Sequence, residues 1–266
     1  MAKNKKSFFI VNENVVICLQ SYKKIHKFAK QIVFSDTERR KIRKMSIQES
    51  IKKINGELPE GVRLVAVSKY HPASMIQEAY DGGQRVFGES HVQELQQKVA
   101  VLPRDIEWHF IGHLQTNKVK YIAPYVALIH SVDSEKLLAE IEKQAAKCNR
   151  TIDVLLQLHL AQEETKFGFT PEECEAFLAS GRRHDMPHIR IVGLMCMASN
   201  VDDEEQIAGE FESAHRLFLN AKELYFADCP YFKECSMGMS DDYPIAIKHG
   251  STLIRVGSKI FGQRVY

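Results

Sequence analysis

Lys69 stands at the end of an apolar, β-branched run, Val62-Arg63-Leu64-Val65-Ala66-Val67-Ser68. Such a run predicts a strand buried on both faces, as in a parallel sheet. A lysine there is costly to bury unpaired, so its ammonium must reach solvent, a wet cavity or an anion. His71-Pro72 follows, and Pro72 biases His71 toward an extended conformation. Two stretches far downstream offer hydroxyls and exposed backbone N–H groups: Ser236-Met237-Gly238-Met239-Ser240-Asp241 and Gly257-Ser258. Either alone reads equally well as an ordinary turn with a helix cap. Both together, opposite Lys69, favour a ligand that carries a phosphate. A lysine facing a phosphate site suggests an aldehyde held as a Schiff base, and pyridoxal 5′-phosphate (PLP) has both groups. Arg255 lies two residues before Gly257, where its guanidinium could face the pyridine nitrogen. Arg stays charged, so it would keep that nitrogen unprotonated and weaken the ring as an electron sink. The alternative for Arg255 is a salt bridge in the interior.

Repeated strand–helix units must position these groups. Apolar runs at 62–68, 85–88, 106–111, 126–130, 152–158, 189–194, 231–237 and 252–256 predict strands. Between them, helical patterns cover 73–81, 92–99, 115–121, 134–148, 171–180, 204–226 and 243–249. Strands alternating with helices imply right-handed βαβ units and a parallel sheet. This pattern matches a single α/β (β/α)8 TIM barrel, whose active face lies at the C-terminal ends of the strands. An open doubly wound sheet is the runner-up, but its usual Gly-rich turn is replaced here by Ser68-Lys69-Tyr70-His71-Pro72. In the barrel, the mouth gathers Lys69, Glu89-Ser90-His91, His109 to His113, His130-Ser131, His159, Lys166, Met195 to Ser199, Ser236 to Asp241 and Gly257-Ser258. Lys118 and Lys166 fall nearby, as candidates to receive an aldehyde in transit. The helix at 204–226 carries Ile207, Phe211, His215 and Phe218 on one face, which predicts packing against the barrel.

Charge is uneven along the chain. Residues 1–44 carry 12 Lys/Arg against 3 Asp/Glu, a balance of +9, which leaves 24 against 31, or −7, for residues 45–266. The mildly acidic body argues against nucleic acid as a partner, and no apolar run reaches membrane-span length. Residues 1–44 read as an atypical basic extension, poorly ordered or absent from the native product. Within it, 7–20 is apolar enough for a strand or weak helix, and 23–30 and 39–44 are basic. It lacks the small-residue cleavage site of a signal peptide. Residues 45–266 form the expected domain, opened by an amphipathic helix with Ile47, Ile51 and Ile54 on one face. The six cysteines include no CxxC pair, so free thiols in a reducing cytoplasm are expected. His109 and His113 lack the acidic residue of a zinc-protease helix, so no metal site is assigned.

The sequence closely resembles the PLP-binding homeostasis proteins, the YggS/PROSC family. The matching segments are Leu64-Val65-Ala66-Val67-Ser68-Lys69, Phe87-Gly88-Glu89 with Val92-Gln93-Glu94, and Trp108-His109-Phe110-Ile111-Gly112 with Leu114-Gln115 and Asn117-Lys118. Gly193-Leu194-Met195 and Ser236-Met237-Gly238-Met239-Ser240 follow, then Ala246-Ile247, Gly250-Ser251-Thr252, Arg255, Gly257 and Ile260-Phe261-Gly262. The resemblance covers 46–266, and not residues 1–44. It implies a barrel of the alanine-racemase N-terminal type, with Lys69 as the Schiff-base lysine. It implies Ser240, Gly257 and Ser258 at the phosphate and Arg255 at the ring nitrogen. Ser90-His91 stands where the family commonly has Asn-Tyr, and Ser90 would reach the cofactor's phenolic oxygen only through a water. The full candidate contact set is Lys69, Ser90, His109, Met195, Ser240, Arg255, Gly257 and Ser258.

The resemblance further implies a cofactor carrier with no catalytic turnover. Racemisation needs acid/base groups on both faces of the ring. In alanine racemases the second is a tyrosine from a separate β-domain of the partner subunit. This sequence ends ten residues after the last predicted strand, at Tyr266, so an open mouth suited to loading and release is expected. A PLP-dependent racemase or lyase is the alternative, with His109, His91 or Tyr70 as second base. A sugar-phosphate enzyme using Lys69 is a third reading. PLP-dependent apoenzymes are the expected recipients, and a monomer or weak dimer is expected.

Overall fold

The computed structural model describes residues 8–12, 15–19, 45–160 and 167–263. The chain divides into two compact units, Met1–Met45 and Ser46–Tyr266. In the first unit, β1 (Phe8–Asn12) and β2 (Val15–Leu19) pair antiparallel, with Phe8 opposite Leu19. This hairpin falls within the 7–20 stretch. The basic segments 23–30 and 39–44 lie outside the described residues, as do Lys166 and Tyr266.

The second unit opens with α1 (Ile47–Glu57), capped reciprocally by Ser46 and Glu49. A capping box of this kind satisfies two N–H groups that a helix start leaves open. Its apolar face, Ile47, Ile51 and Ile54, is buried. Then follow β3 (Arg63–Val67), α2 (Ala73–Asp81), β4 (Val86–Glu89), α3 (Val92–Val99) and β5 (Glu107–Phe110). The chain continues through α4 (Val119–Ile122), β6 (Leu128–Val132), α5 (Glu135–Lys147), β7 (Ile152–Gln157) and α6 (Pro171–Ala179). It ends with β8 (Ile189–Met195), α7 (Glu204–Tyr225), β9 (Glu234–Ser236), α8 (Tyr243–Lys248), β10 (Leu253–Val256) and α9 (Ser258–Phe261).

The eight strands β3 to β10 close into a barrel, all pairs parallel, with β10 beside β3. Closure removes the open edges that a doubly wound sheet would have. Most boundaries shift by a residue or so from the sequence reading, and three elements differ more. The expected strand at 126–130 runs over Leu128–Val132, the one at 231–237 shrinks to Glu234–Ser236, and the helix at 115–121 becomes a 3₁₀ turn, Thr116–Lys118, leading into α4. Short apolar runs fix that an element exists better than where it ends.

Alternation along each strand sorts side chains between two cores. Leu64 and Ala66 of β3 join the large core between barrel and helices, whereas Val65 packs inside with Leu128, Leu155, Val192, Met195 and Leu253. On α7, Ile207, Phe211 and Phe218 are buried, as expected of a helix laid on the barrel.

Candidate functional site

The C-terminal ends of β3, β9 and β10 surround a cavity of about 430 Å³. Lys69, Ser240, Arg255, Gly257 and Ser258 all line it, with Val67, Ile111, Met197, Met239, Asp241 and Gln263. Five of the eight candidate residues, drawn from three separate stretches of sequence, therefore meet at one place.

Parallel pairing brings them together. β10 runs beside β3 with Arg255 opposite Val65 and Val256 opposite Ala66, so the chain leaves both strands at the same height. Gly257 sits where a side chain would lie 3.1 Å from the carbonyl oxygen of Val67, which favours the smallest residue at this close approach. The N–H of Gly257 donates to the Ser240 hydroxyl oxygen at 3.2 Å, and the N–H of Arg255 donates to the carbonyl of Gly238 at 3.0 Å. The two downstream loops are thus stitched to each other.

Arg255 is 5% exposed. Its Nη1 donates to the Ser236 carbonyl at 2.8 Å and the Ser236 hydroxyl at 2.6 Å, and its Nη2 donates to the Cys196 carbonyl at 2.9 Å. Burial lowers its pKa, yet a guanidinium keeps its charge in proteins. Among the described residues Arg255 forms no ion pair. A buried, permanently charged group without a carboxylate in contact is costly unless acceptors meet its N–H groups, as the Ser236 and Cys196 oxygens do here and a lone pair facing it from the cavity would.

A hydrogen-bonded chain runs from Arg255 into the barrel. Ser236 Oγ lies 3.0 Å from His130 Nδ1, and His130 Nε2 lies 3.0 Å from His109 Nδ1. Burial pushes His109 down to about 3 and His130 well below its ordinary value, so both rings are neutral. Arg255 can only donate, so the Ser236 hydroxyl oxygen accepts from it, and each neutral ring has one nitrogen to donate and one to accept.

Three candidate residues do not line the cavity. His109 is an inward residue of β5 rather than a mouth residue, and it lines a second cavity of about 360 Å³ with Arg63, Glu107 and Glu234. Arg63 and Glu234 begin β3 and β9, so that cavity lies at the opposite mouth. Met195, at the end of β8, points into the inner apolar cluster and is 1% exposed, and Met197, two residues on, lines the cavity instead. Ser90 packs against Gly112, where an added Cβ would meet its backbone within 2.5 Å. Nor do Lys118, His91 and Tyr70 line the cavity. Tyr70 and His91 instead pair on the surface, hydroxyl to Nε2 at 3.4 Å.

A buried polar cluster flanks Lys69. Lys98 of α3 is 4% exposed and donates to the Ser68 carbonyl at 2.8 Å, Glu89 at 2.7 Å and Glu94 at 2.6 Å. Ser68 donates its hydroxyl proton to Glu89 at 2.6 Å. Burial pushes Glu89 up to about 7 against the pull of Lys98, and its Oε2 is buried without a partner among the described residues. Glu94 and Lys98 have the i,i+4 spacing of a helical ion pair, but nothing in the spacing placed Glu89 and Ser68 on the same lysine.

No group of three metal-ligating side chains occurs among the described residues. His113 instead pairs with Asp133 at 2.9 Å and stacks on Phe167.

Comparison with known proteins bears on this geometry. Residues 42–265 match the profile of the alanine racemase N-terminal domain. The pyridoxal phosphate homeostasis protein of Aquifex aeolicus is 38% identical over 205 residues, covering 77% of this chain and 88% of that protein. Its Escherichia coli K12 counterpart is 36% identical over 218 residues, covering 79% and 89%. Among solved structures, PipY of Synechococcus elongatus with PLP bound is 35% identical, covers 82% of this chain and 100% of its own, and superposes with a TM-score of 0.74. Alanine racemase from Enterococcus faecalis (E. faecalis) shares the fold at 21% identity and a TM-score of 0.63. The chain belongs to the alanine racemase N-terminal domain family, and within it to the pyridoxal phosphate homeostasis proteins.

Proposed function

We propose that this chain binds pyridoxal 5′-phosphate at the C-terminal mouth of the barrel and acts as a carrier and buffer of the cofactor. The observation that carries this reading is Arg255, a buried cation with no ion pair among the described residues, in one cavity with Lys69. The residues present fit the group. Lys69 Nζ would bond the aldehyde carbon with loss of water, giving a Schiff base. Ser240, Gly257 and Ser258 would hold the phosphate through a hydroxyl and backbone N–H groups. Arg255 would face the ring nitrogen. When bound, the cofactor supplies an electron-withdrawing ring, and the fixed charge of Arg255 restrains that ring. The PipY relative solved with PLP bound supports the same assignment.

Absence of turnover is part of this reading. Proton exchange at an α-carbon needs groups on both faces of the ring. His109, His91 and Tyr70, the candidate second bases, all lie outside the cavity lining. A racemase or lyase is therefore the weaker reading. The relatives' names, homeostasis proteins and not enzymes, support the same choice. PLP-requiring apoenzymes are the proposed recipients, and a monomer or weak dimer the proposed state. The free thiols of Cys148, Cys174, Cys196, Cys229 and Cys235 support work in a reducing cytoplasm. No described helix is long and apolar enough to cross a membrane. The proposed functional unit is residues 45–266.

Titration with PLP, followed by visible absorbance, tests the binding. Deuterium exchange at the α-carbon of amino acids tests the carrier assignment. A band that saturates with no exchange is the expected result. Exchange above the free-cofactor rate would favour the racemase.

A further inference from the structure

We propose that Lys98, acting with Glu89 and Glu94, is the positioning group that presents Lys69 to the cavity. The inference rests on the PLP-binding reading and extends it to residues outside the pocket. Its basis is a convergence on both sides of Lys69. On one side, Ser68 is held twice: its carbonyl accepts from Lys98 Nζ at 2.8 Å, and its hydroxyl donates to Glu89 Oε1 at 2.6 Å. On the other side, the Tyr70 N–H donates to Glu94 Oε1 at 2.6 Å. The same Lys98 Nζ donates to both carboxylates, so one ammonium anchors both neighbours of Lys69 and spends all three of its protons doing so.

The backbone between these anchors is strained. Tyr70 has φ +67°, the left-handed region that a bulky residue rarely adopts. Such conformations persist where the surroundings over-determine them, and they cluster at functional sites. Here the constraint is visible: Glu94 grips the very amide whose φ is unusual. Tyr70 is 43% exposed, so burial of its ring does not hold the turn. A lysine on a flexible four-carbon stem gains little from a rigid pocket unless its own Cα is fixed. The cluster supplies that fixity from α3, with no atom of it lining the cavity.

The test uses the full chain and two ligands. PLP can bond Lys69. Pyridoxine 5′-phosphate has an alcohol where PLP has the aldehyde and can only fill the pocket. Glu94→Ala removes the grip on Tyr70 while leaving Lys98 paired with Glu89. We expect PLP affinity to fall about tenfold or more in Glu94→Ala, the scale of one lost charged hydrogen bond. Pyridoxine 5′-phosphate affinity should stay within about twofold of wild type, since the phosphate and ring contacts remain. Lys98→Met should show a larger loss of the same kind, and Lys98→Arg should restore part of it. Equal loss of both ligands in Glu94→Ala, or loss of neither, overturns the proposal. A wild-type protein that binds both ligands equally, and is matched by Lys69→Ala, would overturn the Lys69 reading itself, which keeps the two failures apart.

Discussion

The Ser240 hydroxyl oxygen accepts the backbone N–H of Gly257 at 3.2 Å, joining the loop after β9 to the loop after β10. Ser240 lies in an irregular loop and Gly257 is the cap residue that leads into α9, and each alone would be an ordinary turn or helix start. Joined, they form one wall of the cavity that Lys69 enters. The bond also leaves the Ser240 proton available to a phosphate oxygen. Ser240→Ala should weaken pyridoxine 5′-phosphate binding by about tenfold, the scale of one charge-assisted hydrogen bond. Pyridoxal, which lacks the phosphate, should bind the variant as it binds wild type. Calorimetric titration of both ligands decides this, and equal effects on the two would remove Ser240 from the phosphate site.

Glu89 gives a pH dependence whose sign is fixed. Its folded pKa is raised from 4.5 to about 7 by burial. Between those values the folded chain keeps a proton that the unfolded chain has released. This contribution to stability, about 3 kcal/mol, is full below pH 4.5 and is lost as pH rises to about 7. His109, lowered from 6.5 to about 3, acts oppositely, since its contribution is full above pH 6.5 and fades on acidification. The two overlap, so the wild-type profile alone cannot separate them. Urea unfolding of wild type and Glu89→Gln across pH 4.5 to 7 isolates the first. Wild type should lose stability relative to Glu89→Gln as pH rises if Glu89 titrates in the folded state, and parallel profiles would contradict it.

Interior order at the opposite face depends on Gly193. A Cβ there would lie 1.7 Å from the carbonyl oxygen of Glu234, where β8 meets β9. No side-chain rotation relieves a clash with backbone. Gly193→Ala should therefore cost about 4 kcal/mol or more, in the range reserved for severe overpacking and strain. Thermal unfolding or loss of soluble protein reports it, and a wild-type melting temperature would refute the account of this strand pair.

A chain beginning at Met45 keeps Ser46 and Glu49, the capping pair of α1. It also keeps all the residues that line the cavity. We expect it to fold and to take up PLP with the affinity of the full chain. A fall beyond about threefold, outside ordinary scatter between independent regions, would assign residues 1–44 a part in binding.

Much of this was legible in the sequence, for a physical reason. Parallel strands buried on both faces read as continuous apolar runs, and the alternation of eight such runs with helical patterns left few topologies. That Lys69, Gly257 and Ser258 would line one cavity was readable because they follow such runs directly, with Arg255 one residue before the end of β10 and Ser240 four residues beyond β9. His109 and Met195 face the barrel interior below the rim and do not line the cavity. Height along a strand shifts with an error in its end, and ends are what apolar runs fix least. The Lys98 cluster was only half legible: Glu94 and Lys98 share a helix at i,i+4, but Ser68 and Glu89 reach them from the ends of β3 and β4 through tertiary packing, which no local spacing encodes.

The central claim is that Lys69 is the residue bonded to the cofactor. Borohydride reduction of the PLP-loaded protein, followed by peptide mass mapping, tests it most directly. The account predicts one phosphopyridoxyl group, on the peptide containing Lys69, with none in Lys69→Ala. A label on a different lysine, or an unchanged label in Lys69→Ala, would contradict it.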